Sequence, residues 1–70
     1  MDVADLTEEQ KNALRAVWKA GPTEGLPLQS LAADVGETLL RDGWLSRGGG
    51  RYRLANFKVT FLVASKLLDE

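Results

Sequence analysis

The sequence contains no cysteine and no histidine. Without cysteine the chain has no disulfide, no thiol nucleophile and no ligand for an iron–sulfur cluster. Without histidine it has no imidazole base, and a zinc finger is excluded because its ligands are these two residue types. Isoleucine is absent as well, so the large apolar side chains are mainly those of leucine and valine, with a few aromatics. These absences argue against an enzyme and against a metal site or cofactor.

Length and apolar content predict one small folded domain. The chain has 70 residues, of which 44% are hydrophobic and 27% charged, as in ordinary soluble domains. The longest apolar run, 61–64, is far shorter than the roughly 20 residues that span a bilayer. Residues 1–10 carry four carboxylates instead of a basic signal segment. We therefore expect a single cytoplasmic domain over 1–70, with 1–6 as a flexible N-terminus and no membrane partner.

Charge is distributed unevenly along the chain. The formal net charge is −1, yet residues 21–40 sum to −3 and residues 41–60 to +4. A nearly neutral average therefore hides a basic third quarter, and this asymmetry bears more on binding partners than the net charge does.

The first predicted element is a helix over about residues 7–20. Thr7 and Gln10 fit a capping box, in which the Thr7 hydroxyl accepts from the Gln10 amide and the Gln10 side chain reaches back. An apolar stripe at helical spacing follows, and Gly21 with Pro22 ends the helix.

A second helical region follows a loop over 21–27. Apolar residues at helical spacing run from Leu28 to Leu39, and Gly36 interrupts them. Either one helix covers about 28–42 and tolerates Gly36 at a cost of about 1 kcal/mol, or two short helices meet at a turn there. The stripe stays in phase through Gly36, which favours one helix, and Asp42 with Gly43 ends it.

A β-hairpin is predicted around three consecutive glycines, between segments 44–47 and 51–54. In the second segment Arg51 and Arg53 alternate with Tyr52 and Leu54, so that strand has a basic face and an apolar face.

The last segment is ambiguous. Residues 57–63 alternate like a strand, whereas the spacing from Phe57 to Leu68 also fits a helix that Asn56 caps. The run is long for a strand in so small a domain, which favours a helix over about 57–68.

The stretch LLRDGWLSRGGGRYRL at 39–54 resembles the end of a winged-helix domain, where the last helix of a helix-turn-helix passes through a glycine into a wing hairpin. LTEEQ at 6–10 looks like the start of the first helix of MarR-type regulators, and LAADVG at 31–36 resembles the second helix and turn. The resemblance covers 6–54. It implies a small α+β winged-helix-like domain, with about three helices and a two-stranded wing, that binds DNA in transcription regulation.

The sequence departs from this family at the recognition helix. Only six residues, Glu37 to Asp42, separate Gly36 from Gly43, which is less than two helical turns. Either the recognition helix is truncated or one family helix is missing, and both alternatives argue against extensive reading of the major groove.

The candidate nucleic-acid-binding residues are the cations of the hairpin and its flanks, together with a tyrosine between two of them: Arg41, Arg47, Arg51, Tyr52, Arg53 and Lys58. Guanidinium groups suit bidentate contact with phosphate. The alternative is a solvated strand edge whose charges prevent aggregation. Acidic Glu24, Asp34 and Glu37 lie near the expected recognition surface and would repel phosphate.

Other motifs have simpler interpretations. The three glycines lack the Lys-Ser/Thr of a P-loop, and Ser65 and Lys66 diverge by about 100° on a helix. The aromatic residues are predicted mainly in the core because so small a protein needs them there: Trp18, Trp44, Tyr52, Phe57 and Phe61.

Two functions remain as hypotheses. The first is a non-enzymatic module that contacts the phosphate backbone of double-stranded DNA through its basic wing. The second is a protein–protein interaction module or small inhibitor on a degenerate winged-helix scaffold, docking on a larger nucleic-acid-processing or transcription machine. The apolar surplus of the last helix favours such a protein partner or a second copy. The chain is then a monomer or a homodimer.

Overall fold

The structure is a computed structural model that describes residues 2–21 and 23–68. Within these residues three helices and three strands follow in the order α1 (Glu8–Ala20), β1 (Leu26–Pro27), α2 (Ala33–Arg41), β2 (Leu45–Gly48), β3 (Arg51–Leu54) and α3 (Phe57–Leu62). Short 3-10 turns cover Val3–Asp5 and Leu28–Ser30, and a π-helical segment, Val63–Leu67, continues α3. The predicted α+β class with a winged-helix-like layout is confirmed.

Helix α1 begins at the predicted capping box. The Thr7 Oγ1 accepts from the Gln10 amide at 3.1 Å, and the Gln10 Oε1 accepts from the Thr7 amide at 2.8 Å. Gly21 ends the helix with φ of 104° and donates its N–H to the Trp18 carbonyl. Both predicted ends of this helix are confirmed, although Pro22 lies outside the described residues.

The second helical region is shorter than predicted. Residues 28–30 form a 3-10 turn, Leu31 and Ala32 are extended, and α2 starts only at Ala33. The break therefore lies before the helix and not at Gly36, which α2 passes through without interruption. At the other end the Trp44 amide donates to the Leu39 carbonyl at 2.9 Å, the six-to-one bond of a Schellman motif.

A close approach of Tyr52, and not an unusual backbone angle, favours glycine at position 36. It is buried in the middle of α2, and a Cβ built on it would fall on the Tyr52 hydroxyl and 2.7 Å from Tyr52 Cζ. A glycine at this point lets the helix and the tyrosine ring of β3 pack directly against each other.

The hairpin is part of a three-stranded antiparallel sheet with the order β1-β3-β2. Gly49 and Gly50, with φ of 60° and 74°, form its two-residue turn, so Gly48 pairs with Arg51. Strand β1 was not predicted from the sequence. It pairs with β3 in the register Leu26 to Tyr52, and it supports the hairpin almost to its tip.

The last segment is helical, as predicted. The Asn56 Oδ1 accepts from the Val59 amide at 3.0 Å and caps α3. The following π-helical segment is tied to α1, because Arg15 Nε donates to the Leu67 carbonyl at 2.8 Å. No helix within the described residues is long and apolar enough to cross a membrane.

The core is built mainly from aliphatic side chains. Its buried members come from all three helices and the hairpin: Ala13, Leu14, Val17, Leu39, Trp44, Leu45, Tyr52, Val59, Val63 and Leu67. Val3 and Leu6, from the segment expected to be flexible, pack against it. The prediction that Trp18, Phe57 and Phe61 lie in the core is wrong, since all three are exposed.

Candidate nucleic-acid interface

Two of the candidate arginines lie side by side on the outer face of the sheet. Arg51 and Arg53 are two residues apart on β3, so their side chains project from the same face, opposite to buried Tyr52. The residues of β2 that pair with them are Gly48 and Ser46, which are small and exposed. This pair, Arg51 and Arg53, forms the outer basic face.

Backbone carbonyls of the loop before β1 and of β2 hold these two side chains. Arg53 Nε donates to the Thr23 carbonyl at 3.0 Å, and Arg53 Nη1 donates to the Gly48 carbonyl at 3.3 Å. Arg51 Nη1 lies 3.5 Å from the Gly25 carbonyl. Among residues 2–21 and 23–68, no carboxylate forms an ion pair with either guanidinium. Their charge is therefore oriented but not neutralised.

Gly25 allows the loop to lie this close. It is buried, has φ of 73°, and a Cβ there would lie 2.6 Å from the Tyr52 carbonyl oxygen. Next to it the outer basic face borders an open cleft of about 450 Å³, lined by Thr23, Glu24, Gly49, Arg51 and Arg53. The cleft can accept an anion, although the Glu24 carboxylate at its border weakens its positive potential.

Arg47 lies on the other face of the hairpin. It pairs with Tyr52 across the strands, and directly paired residues share a face. It is nevertheless exposed, because it lies near the hairpin tip beyond the edge of the core. The structure thus brings together two of the three predicted arginines and separates the third.

The remaining candidates lie elsewhere. Tyr52 is only 4% exposed and packs in the core, so the prediction that it contacts nucleic acid is wrong, whereas its predicted place in the core is confirmed. Arg41 is exposed at the end of α2, with its Nε 3.7 Å from Asp42 Oδ1. Lys58 is exposed in the first turn of α3.

Apart from Arg41 at its end, the exposed charged residues of α2 are acidic. This helix has nine residues, and Asp34 and Glu37 are exposed on it. In a winged-helix-like layout the helix before the wing is the element that would enter the major groove. Its carboxylates would repel DNA phosphates there.

Sequence reasoning missed an aromatic surface. Phe57 is 93% exposed, Phe61, one turn later on α3, is 70% exposed, and Trp18 is 38% exposed. An apolar cavity of about 250 Å³ lies between the helices, lined by Val17, Trp18, Leu54 and Thr60. The apolar surplus noted in residues 57–68 was the signal for this surface.

Comparison of the chain with family models, with curated proteins and with solved structures finds no match.

In the described part of the chain, no group of three acidic, histidine or cysteine side chains is placed to hold a metal ion.

Proposed function

We propose that this chain is a non-enzymatic, winged-helix-like module that contacts the phosphate backbone of double-stranded DNA through its basic wing. The observation that supports this function best is the outer basic face, where two guanidinium groups are held side by side and no carboxylate of the described residues pairs with them. Each guanidinium has five N–H donors, so the carbonyl contacts leave others for phosphate oxygens. Arg47, at the hairpin tip, supplies a third contact from the opposite side.

Binding through the phosphate backbone of DNA fits the rest of the molecule better than recognition of bases does. Helix α2 is short and exposes Asp34 and Glu37, so it is poorly suited to the major groove. Backbone contacts carry affinity without sequence information. We therefore expect weak binding with little dependence on DNA sequence and a strong dependence on salt.

The salt dependence provides the test. In fluorescence anisotropy with a labelled duplex, three neutralised phosphates give a slope of log K against log salt of about −2.7. The double variant Arg51→Gln/Arg53→Gln removes two of these contacts and should change the slope to about −0.9. Circular dichroism must show that it remains folded, since Arg53 also braces the loop at Thr23. An unchanged affinity for this variant would reject the function.

A charge-matched control separates the wing from net charge. Lys19→Gln/Lys66→Gln removes two exposed cations from other elements and should leave the slope near that of the wild type. Conversely, Glu24→Gln removes the carboxylate that borders the cleft and should raise affinity at low salt, whereas Glu9→Gln, on α1, should raise it less. If the two double variants change DNA affinity equally, and Glu24→Gln and Glu9→Gln also do, then only the net charge of the protein matters.

A further inference from the structure

Helix α3 presents two phenylalanines that the fold does not use. Its buried side is supplied by Val59 and, in the π-helical continuation, by Val63 and Leu67. Phe57 and Phe61 point away from that side, with 93% and 70% of their surface exposed. Since the largest exposed apolar surface of a small domain is often functional, these two rings point to an interaction surface. Phe57 and Phe61, together with Trp18, which lines a cavity with Thr60 of the same helix, are called the aromatic face below.

The shape beside the aromatic face suits an inserted apolar side chain. Thr60, on the same helix as Phe61, lines the cavity of about 250 Å³ together with Val17, Trp18 and Leu54. The projecting rings and this apolar cavity together provide a contact surface and an anchoring position, as in helix-in-groove recognition.

The charged residues next to the members of the aromatic face in sequence are lysines. Lys58 follows Phe57, and Lys19 follows Trp18, and both lysines are exposed. Over 57–68 the sequence carries lysines and no carboxylate. A complementary partner therefore has carboxylates that flank its apolar side chains.

A second copy of this chain is poorly suited to cover the aromatic face. With aromatic side chains of about 200 Å² each, the exposed fractions amount to about 400 Å² of surface. A stable interface needs about 800 Å² from each partner. Pairing two such faces would also bring lysines from both copies together. The area and the charge both favour a short segment of another protein.

We propose that the aromatic face docks a segment of a different protein in which acidic residues flank apolar anchors. This site is separate from the outer basic face, so it stands whether or not the chain binds DNA. It would let the domain attach to a larger assembly through a short acidic peptide.

Selection from a random-peptide display library on the full chain tests the proposal. We expect the selected peptides to combine Asp or Glu with Leu, Phe or Trp. A synthetic peptide of the consensus sequence should bind Phe57→Ser/Phe61→Ser about tenfold or more weakly than wild type. Lys19→Glu/Lys58→Glu should also weaken it, with the aromatic rings left in place. The variant Arg51→Gln/Arg53→Gln, altered on the sheet, should bind it as the wild type does.

Arg53 is half-buried and the other altered residues are exposed, so circular dichroism checks that all three variants remain folded. A selection that yields no consensus, or a basic one, would overturn the proposal. So would sedimentation showing a dimer that Phe57→Ser/Phe61→Ser abolishes, because the occupant would then be a second copy. Binding to phosphatidylglycerol vesicles that requires both rings, without peptide binding, would assign the surface to lipid instead.

Discussion

The substitution Gly36→Ala probes the contact that joins α2 to the sheet. The added methyl group would meet the Tyr52 hydroxyl and lie 2.7 Å from Cζ, well inside van der Waals contact. The hydroxyl is at the end of a side chain, but Tyr52 is only 4% exposed, so its ring has little room to move away. Either the ring or the helix must shift.

Two opposing effects set the size of the change. Alanine is favoured over glycine within a helix by about 1 kcal/mol. Overpacking a buried site costs about 1–3 kcal/mol, and a clash with two atoms of a confined ring belongs at the upper end. We therefore expect Gly36→Ala to lower the free energy of unfolding by about 2 kcal/mol. In a domain of this size that lowers Tm by about 10 °C or more.

Urea and thermal unfolding measure this change. Glu37→Ala, at the next and exposed position of the same helix, serves as control and should stay within about 0.5 kcal/mol of wild type. In the background Tyr52→Phe, which lacks the hydroxyl, Gly36→Ala should cost about 1 kcal/mol less. If Gly36→Ala is as stable as wild type or more so, the helix propensity outweighs the clash and the described packing is refuted.

Two further predictions concern a hydrogen bond that holds the π-helical segment and the turn of the hairpin. Replacing Arg15 by Met removes the hydrogen bond to the Leu67 carbonyl and should cost about 1–2 kcal/mol in urea unfolding, with faster hydrogen exchange over 63–68, whereas Lys19→Met should have little effect. Unchanged exchange in Arg15→Met would show that this bond does not hold the π-helical segment. At the hairpin turn, Gly49 has φ of 60° with open space around it, so Gly49→Asn should be tolerated and Gly49→Ala should cost about 1 kcal/mol. Equal stability of these two variants in thermal unfolding would contradict the assigned turn.

Local signals predicted the hairpin and every helix end except the start of α2. The capping box at Thr7, the cap at Asn56 and the stop at Gly43 act through neighbouring backbone groups, so the residues that specify them are close in sequence. The start of α2 was misplaced because the 3-10 turn at 28–30 continues the apolar spacing of the helix. Periodicity alone does not distinguish the two structures.

Features that depend on distant partners were not predictable. Strand β1 has only two residues, and its pairing with Tyr52 joins positions 26 apart in the chain. The aromatic residues were assigned to the core on the ground that a small domain needs its large side chains inside. Aliphatic residues such as Leu14, Leu39 and Leu67 already fill that space, which leaves Phe57 and Phe61 outside.

The separation of Arg47 from the other arginines follows from turn length. Three glycines allow a turn of two or three residues. A three-residue turn would pair Arg47 with Arg51 and place all three arginines on one face. The two-residue turn pairs Gly48 with Arg51 instead, and Arg47 moves to the face of Tyr52. The composition of the loop does not decide between these registers, so the sequence left the geometry of the basic wing open.

The contact between Gly36 and Tyr52 also links stability to the proposed function. A one-residue slip of β3 would turn Arg51 and Arg53 inward and Tyr52 outward, so the buried tyrosine helps to fix the outward direction of the arginines. A small domain with a stability of about 5 kcal/mol stays more than about 99% folded after losing 2 kcal/mol. If Gly36→Ala strains the core but keeps the register, its DNA affinity in anisotropy should therefore stay within about twofold of wild type. An affinity as low as that of Arg51→Gln/Arg53→Gln, in a variant that circular dichroism shows to be folded, would mean that the register itself depends on this glycine.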